Sequence, residues 1–353
     1  MAARAMAPRK TGLDSSERGD GASAVTIQAV ATAAGVSKTT VSHVLSGNRP
    51  VSADTRRRVE KVMDELGFSP NFFAQALNRN RSNTIALIAQ DITNPFYPSL
   101  ARGLQAAVSS RDQVVMLFDA GAGEGGLTHA FVTDAIQRRA DGVVIAISDV
   151  DDDIARLRDA GIPVVAVGSG ASKLPIDWVT ADDERIAADA VMHLHLLGHR
   201  RIATITGPLG HTPGKPRHVG YLRAMADLDL PVTSELIEHG EWTRESGFEA
   251  MMRLAARRDR PSAVFCANDM MAIGALDAAR RLGLSVPQDV AILGVDDIDA
   301  AALVRPALTT VRIPAEEIGR AAGELLLHRI SEGMTTTHRH VLVQHTLQIR
   351  ESA

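Results

Sequence analysis

The sequence contains one cysteine, Cys266, and no continuous apolar run long enough to span a membrane. Cys266 ends an apolar run at residues 263–266, which is typical of a buried thiol rather than of a nucleophile. A lone cysteine gives no indication of an oxidising compartment. Residues 1–24 include basic side chains but lack the apolar core of an export signal. We therefore expect a cytoplasmic protein without a membrane-spanning segment.

Local signatures of catalysis are also missing. No Ser/His/Asp or Cys/His arrangement and no catalytic pair of carboxylates stands out. Among His193, His195 and His199, only the last two share a helix face, and no third zinc ligand is obvious. Asp149 with the acidic residues 151–153 lacks the glycine and the spacing of a calcium loop. We expect no catalytic residues, no metal site and no cofactor.

One glycine pattern keeps an enzymatic alternative open. Gly121, Gly123 and Gly126 form a G-x-G-x-x-G pattern between an apolar run and a helical pattern, as in dinucleotide-binding sites. The pattern follows the second predicted strand of its region rather than the first, and a glycine-rich surface loop explains it equally well. An NAD(P)-dependent oxidoreductase is therefore an alternative interpretation.

The charge is unevenly distributed along the chain. The net charge is −4, but residues 25–83 carry eight cationic and four acidic side chains, a local net charge of +4. The residues after 83 carry a net charge of −9. A basic segment joined to an acidic body suits a protein that contacts a polyanion at one end only.

Two short amphipathic helices separated by a glycine are predicted within this basic segment. Thr26 can cap a helix whose apolar residues share one face; these residues are Ile27, Val30, Ala31 and Ala34. Gly35 ends that helix, and Ser37 can cap a second helix. The second helix carries an apolar stripe of Val41, Val44 and Leu45. Two helices joined by such a turn predict a helix-turn-helix.

The polar side of the second helix is a candidate surface for reading DNA. It carries Lys38, Thr39, Ser42 and His43, and Thr40 is a further candidate for contacting DNA. A cation, hydroxyls and an imidazole can contact base edges or phosphates in a major groove. A small helical subdomain with polar residues facing water is the alternative.

A third helix makes a compact three-helix unit. Ser52 can cap it, and Gly67 ends it. Its apolar face consists of Val59, Val62, Met63 and Leu66.

The run VTIQAVATAAGVSKTTVSHVLSGNRPVSADTRRRVEKVMDELGFSPNFFAQAL at residues 25–77 resembles the DNA-binding region and hinge of the lactose/galactose repressor (LacI/GalR) family of bacterial transcription regulators. The resemblance continues, less densely, to the C-terminus. It implies a helix-turn-helix domain at 25–69 and a hinge helix with linker at 70–83, whereas the Gly-, Ser- and Ala-rich composition of residues 1–24 predicts a disordered tail. It also implies that Asn71 contacts DNA and that Leu77 is inserted into the minor groove at the centre of the operator.

After residue 83, short apolar runs alternate with helical patterns. The runs are residues 84–89, 114–118, 143–147, 164–167, 202–206, 263–266 and 290–295. This alternation predicts α/β folding with buried parallel sheets. The resemblance implies two periplasmic-binding-protein-like subdomains, which we place at 84–181 with 312–334 and at 182–311 with 335–353, with a last helix at about 314–331.

The resemblance also implies a small-molecule effector in the cleft between these subdomains. The candidate residues follow predicted strands or align with the family's effector contacts; they are Phe96, Tyr97, Arg217, Trp242, Asn268 and Asp296. Aromatic faces with polar side chains suit a polyhydroxylated ligand, either sugar-like or nucleoside-like. For Arg217, Asn268 and Asp296, a capping or loop-stabilising role is the alternative.

The sequence departs from the family pattern at two places. Residues 168–170 are Gly-Ser-Gly where many sugar-responsive members have an aspartate, which argues against a typical hexose or galactoside. His43 stands where many members have arginine, and imidazole cannot form the same bidentate pair with guanine.

Together these observations predict a repressor that binds a pseudopalindromic double-stranded DNA operator as a homodimer. Because no heptad-patterned extension follows the body, we expect a dimer rather than a tetramer. A solute-binding protein that does not bind DNA is the second alternative, but it would need an export signal and would not need a basic segment.

Overall fold

A computed structural model describes residues 25–46, 49–68, 81–121, 126–168, 174–210, 212–333 and 337–353. The chain divides into two compact units, a head at residues 1–80 and a body at residues 81–353. The predicted tail and most of the predicted hinge, with Asn71 and Leu77, lie outside the described residues.

The head contains the three predicted helices: α1 (Ile27–Ala33), α2 (Lys38–Ser46) and α3 (Ala53–Leu66). Each begins where a hydroxyl accepts a hydrogen bond from a backbone N–H group that the helix leaves without a partner. The Ser37 hydroxyl accepts one from the N–H of Thr40 at 3.0 Å, and Thr26 and Ser52 cap the other two helices. Gly67 ends α3 with a φ of 62°, the left-handed conformation that favours glycine.

The core of the head consists of small apolar side chains from all three helices. Its buried members are Val30, Ala31, Ala34, Val41, Val44 and Val59. Leu45, Val62 and Met63 pack around them, as their spacing predicts. Leu66 was predicted on the same face but is 38% exposed, because it lies in the last turn of α3.

The first sheet of the body has six parallel strands in the order β2-β1-β3-β4-β5-β11. The strands are β1 (Thr84–Ala89), β2 (Val114–Asp119), β3 (Gly142–Ala146), β4 (Val164–Val167), β5 (Asp177–Ala181) and β11 (His340–Val343). Strands β1 and β3 are almost entirely buried, which explains why they consist of continuous apolar runs.

The second sheet has the order β7-β6-β8-β9-β10-β12, and only β12 is antiparallel to its neighbour. The strands are β6 (Ile202–Thr206), β7 (Ile237–His239), β8 (Ala263–Cys266), β9 (Ala291–Asp296), β10 (Thr309–Arg312) and β12 (Thr346–Gln348). Cys266 is a buried thiol, as predicted.

Helices connect these strands. They are α4 (Phe96–Val108), α5 (Gly126–Gln137), α6 (Asp151–Asp159), α7 (Asp183–Leu196), α8 (Gly214–Asp227), α9 (Arg244–Ala255), α10 (Asp269–Arg281), α11 (Asp299–Leu303) and α12 (Ala315–Glu332). Helix α12 lies against α4, where Gly319 allows the two backbones to approach closely. A Cβ at Gly319 would lie 2.0 Å from the carbonyl oxygen of Leu100.

The chain passes between the sheets three times. It leaves the first sheet after β5, enters it again at α12 after β10, and leaves it finally between β11 and β12. The predicted boundary at residue 335 is therefore wrong, because His340 to Val343 pair with β5 of the first sheet. The last crossing lies at residues 344–345.

Candidate functional site

Helix α2 presents its polar side away from the head core. Lys38 and Thr39 are exposed, whereas Ser42 and His43 are half-buried. The Thr40 hydroxyl lies 2.8 Å from the Ser37 hydroxyl and is therefore part of the capping of α2. Of the five candidate residues on this helix, Thr40 takes part in capping, and the other four form its polar surface.

The body contains a cavity of about 110 Å³ that both subdomains line. All six residues predicted from the sequence to bind an effector line it: Phe96, Tyr97, Arg217, Trp242, Asn268 and Asp296. Each belongs to a segment that follows a strand or ends one, at β1, β6, β7, β8 or β9. Carboxyl ends of parallel strands are where α/β sheets commonly bind ligands.

Arg217 is the central polar residue of the cavity wall. It is only 4% exposed, and its Nε donates a hydrogen bond to Oδ1 of Asp183 at 2.9 Å. One of its terminal nitrogens donates to the carbonyl of Ala267 and lies 3.8 Å from Oδ1 of Asp296. A buried guanidinium requires this neutralisation, because an unpaired buried charge is costly.

Two buried carboxyl groups, Asp296 at the end of β9 and Asp269 at the start of α10, influence each other. Burial raises the pKa of Asp296 to about 7; the charge of Arg217 opposes this change, and that of Asp183 adds to it. Burial and the charge of Asp296 also raise the pKa of Asp269 well above its usual range. Asp269 nevertheless accepts hydrogen bonds from the Thr310 hydroxyl and the N–H of Ile298. Asp269 therefore has a structural role, whereas Asp296 lines the cavity.

Asn268 positions two elements of the wall. Its side-chain oxygen accepts a hydrogen bond from the N–H of Met271 at 2.9 Å and so caps α10. Its side-chain nitrogen donates to the carbonyl of Trp242 at 3.0 Å. Trp242 has a φ of 64°, which is unusual for a bulky residue. The capping role proposed as an alternative for Asn268 is therefore observed, and the same amide holds Trp242 in place.

The Trp242 ring lies directly against the backbone of Gly207. A Cβ at Gly207 would lie 2.2 Å from two carbons of the indole. Only glycine lets the ring take this position against the loop after β6.

Phe96 and Tyr97 are the aromatic lining residues that the first subdomain contributes. Their rings meet edge to face, with centroids 5.5 Å apart. The Asn94 side chain accepts a hydrogen bond from the N–H of Phe96 at the start of α4. Burial of the Tyr97 hydroxyl, with the charges of Asp296 and Asp91, raises its pKa far above the usual value, so that the phenol remains neutral.

Several lining residues were not predicted from the sequence. Asp183, which neutralises Arg217, follows β5, and β5 was not among the predicted strands. Thr180, Thr212 and Glu241 also line the cavity. Gly168 lines it with a φ of 117°, while Ser169 and Gly170 lie outside the described residues.

The histidines discussed as a possible zinc pair lie at the end of α7 and beyond it. Nδ1 of His199 lies 2.9 Å from the Ser262 hydroxyl, and Arg200 donates to the carbonyl of His195. Burial lowers the pKa of both His193 and His199. Within the described ranges, no group of three or more His, Cys, Asp or Glu side chains could hold a metal ion.

Comparisons with known proteins cover both units. The model for bacterial regulatory proteins of the lacI family matches residues 26–71, and a periplasmic binding protein-like domain matches residues 191–353. Catabolite control protein A of Priestia megaterium is 34% identical over 330 residues, covering 93% of this chain and 99% of that protein. The ribose operon repressor of Escherichia coli K12 is 35% identical over 312 residues, covering 87% and 93%.

Solved structures show the same architecture. The lac repressor dimer bound to operator and the anti-inducer ONPF is 26% identical, with a TM-score of 0.83 over 94% of this chain and 99% of that one. The complex of the transcriptional regulator CelR with cellobiose is 33% identical, with a TM-score of 0.71 over 93% and 100%. In the described part of this chain, no helix is long and apolar enough to cross a membrane. The chain belongs to the lacI family of bacterial regulatory proteins.

Proposed function

We propose that this protein is a cytoplasmic transcriptional repressor that binds a pseudopalindromic operator as a homodimer. A small molecule would weaken or strengthen this binding. The main support for the proposal is that all six residues selected from the sequence line the same cavity, in a chain that also has a helix-turn-helix head. Its action is binding and regulation rather than catalysis. The family assignment favours this function over an oxidoreductase or a solute-binding protein.

The head supports operator binding. Helix α2 exposes Lys38 and Thr39, with Ser42 and His43 half-buried beside them, and its apolar side packs in the head core. Side chains of this kind read base edges when such a helix lies in the major groove. A two-fold protein dimer matches two half-sites of a pseudopalindrome.

The cavity supports control by a ligand. Its walls come from both sheets, so a molecule bound there contacts both subdomains at once. A ligand that binds one relative orientation of the subdomains better than another shifts the population of the two orientations. Such a shift couples the cleft to DNA affinity, by about 1–3 kcal/mol in typical allosteric proteins. The ribose operon repressor and the CelR–cellobiose complex support the sugar-like of the two candidate ligand classes.

Selection from a random library of DNA duplexes tests the operator proposal. The full chain is used at near-physiological salt, which suppresses binding to phosphates alone. We expect enrichment of a pseudopalindrome with a flexible pyrimidine–purine step at its centre. A repressor that requires a co-repressor would enrich the sequence only when cell extract is added. No enrichment under either condition would contradict the proposal.

A substitution in α2 tests which side chains read the DNA. His43→Ala should change the preferred base at one position of each half-site, with a loss of about 1–3 kcal/mol for the original base. Lys61→Ala on α3 is the control, because its exposed side chain contacts Glu65 at 3.7 Å and lies outside α2. An unchanged preferred sequence for His43→Ala would show that His43 does not read a base.

A further inference from the structure

Among the described residues that line the cavity, carboxylates outnumber cations. Asp91, Asp183, Glu241 and Asp296 line it, and Arg217 is the one cation among the described lining residues. Because Asp183 pairs with Arg217, the described lining keeps a surplus of negative charge from Asp91 and Glu241, and from Asp296 above its pKa of about 7. A negative potential disfavours an anionic ligand, because bringing like charges together at a desolvated site is unfavourable.

The charge of Arg217 is already neutralised within the protein. Its Nε is hydrogen-bonded to Asp183 at 2.9 Å, and both side chains are about 5% exposed. A second carboxylate, Asp296, lies 3.8 Å from the same guanidinium. A phosphate or carboxylate group of a ligand would have to compete with two built-in anions for this cation. Arg217 is therefore suited to hydrogen-bonding a neutral oxygen rather than to pairing with an anion.

Asp296 needs hydrogen donors from the ligand. A separation of 3.8 Å from the guanidinium is too long for a hydrogen bond. Above its pKa of about 7, Asp296 is mostly ionised and has only acceptors, and its two oxygens take several donors. Hydroxyl or ammonium hydrogens of a ligand supply such donors, whereas a phosphate or carboxylate offers further acceptors.

The aromatic walls complete the recognition of a ring. Trp242 lines the cavity from the segment after β7 of the second sheet, and Phe96 and Tyr97 line it from the segment after β1 of the first sheet. Aromatic faces pack well against the C–H face of a sugar or against a base.

From these contacts we propose that the cleft takes a ring-shaped, polyhydroxylated ligand that is neutral or carries an amine, and that it excludes phosphorylated and carboxylated derivatives of that ligand. This inference rests on the proposed effector site. The surplus of carboxylates makes charge, in addition to shape, a determinant of specificity.

Matched ligand pairs test the inference. The full chain is heated at pH 7.5 with sugars and nucleosides and with their charged derivatives: ribose and ribose 5-phosphate, glucose and glucose 6-phosphate, glucose and glucuronate, cellobiose, glucosamine, and adenosine with its 5′-monophosphate. A neutral or amine member should raise the melting temperature, and its anionic partner should bind at least about tenfold more weakly. Equal or tighter binding of an anionic partner would overturn the inference while leaving the effector site in place. No binding by any member would overturn the effector site and the inference with it.

Substitution of the acidic side chains tests the cause of the exclusion. Asp91→Asn combined with Glu241→Gln removes two negative charges from the lining and should reduce the discrimination against the anionic partner. Glu184→Gln is the matched control, because Glu184 pairs with Arg223 at 2.7 Å on an exposed surface and does not line the cavity. Equal discrimination in the double variant and in the control would show that these carboxylates do not exclude anions.

Discussion

Replacing Gly207 by alanine should push the Trp242 ring out of the cavity wall. The new methyl carbon would lie 2.2 Å from two indole carbons, whereas ordinary contact begins at 3.4 Å. The difference between these two distances requires a movement of about 1.2 Å. We expect the indole ring to move rather than the Trp242 backbone, because Asn268 holds the Trp242 carbonyl through a hydrogen bond. Overpacking of this size costs about 1–3 kcal/mol, which corresponds to a roughly 5–150-fold weaker ligand affinity if the bound ligand requires the original ring position.

The Gly207→Ala experiment has a close control in the same loop. Gly210→Ala adds the same methyl group three residues later, where no atom lies within 4 Å. Ligand affinity is measured by calorimetry, and the ring is followed by fluorescence in a Trp178→Phe background, because the chain has only two tryptophans. We expect weaker ligand binding and altered fluorescence for Gly207→Ala alone, with operator affinity unchanged in both variants. Normal ligand affinity in Gly207→Ala would refute the role of Trp242 as a wall of the ligand site.

Two further predictions concern the polar groups of the cavity. Arg217→Met should lower the free energy of unfolding by about 3–5 kcal/mol in urea titrations, because it leaves buried Asp183 and Asp296 without their cation. The exposed control Arg223→Met should lower it by less than about 1 kcal/mol. Similar losses in the two variants would contradict the buried pairing. Asp296→Asn should change how stability depends on pH. The pKa of Asp296 is about 7 in the folded protein, above its usual value of 3.8, so the folded state holds this proton more tightly than the unfolded state does. The resulting contribution to the free energy of unfolding is therefore fully present below about pH 4 and is lost as the pH rises to 7. The stability of Asp296→Asn relative to wild type should therefore increase from pH 4 to pH 7 in thermal melts, and a constant difference would contradict the raised pKa.

Much of the head could be predicted from the sequence because its signals are local. Capping hydroxyls at Thr26, Ser37 and Ser52 lie within three residues of the N–H groups that they accept from. Gly67 ends α3 through its own backbone conformation. These interactions depend on sequence neighbours, so spacing alone indicates them.

In the body, the sequence predicted seven of the twelve described strands, six of them largely buried, and missed short edge strands and strands that contain polar residues. The seven predicted runs correspond to strands whose observed bounds differ by at most one residue. Strands β7, β11 and β12 are three or four residues long and half-exposed. Strand β5 contains Asp177 and Thr180, and β10 begins with two threonines, so none of the five forms a distinctive apolar run. The wrong boundary at residue 335 has the same origin, because only pairing with β5 assigns β11 to the first sheet.

The cavity shows the same division between local and long-range information. Its six predicted residues were selected by their positions after strands and by resemblance, and the fold brings them together. Asp183 was missed because its importance depends on a contact with Arg217, 34 residues away. The left-handed conformation of Trp242 likewise depends on Asn268, 26 residues further along the chain. Partners at such separations are set by tertiary packing rather than by local spacing.

The most direct test of the account measures operator affinity with and without the cleft ligand. The full-length protein is titrated with the duplex recovered by selection, in the absence and presence of the panel member that raises the melting temperature most. Control of the head by the cleft predicts a change in operator affinity of about 5–150-fold, and the same ligand should change it much less in Gly207→Ala. Operator affinity that is identical with and without a ligand bound in the cleft would contradict the central claim that the cavity regulates DNA binding.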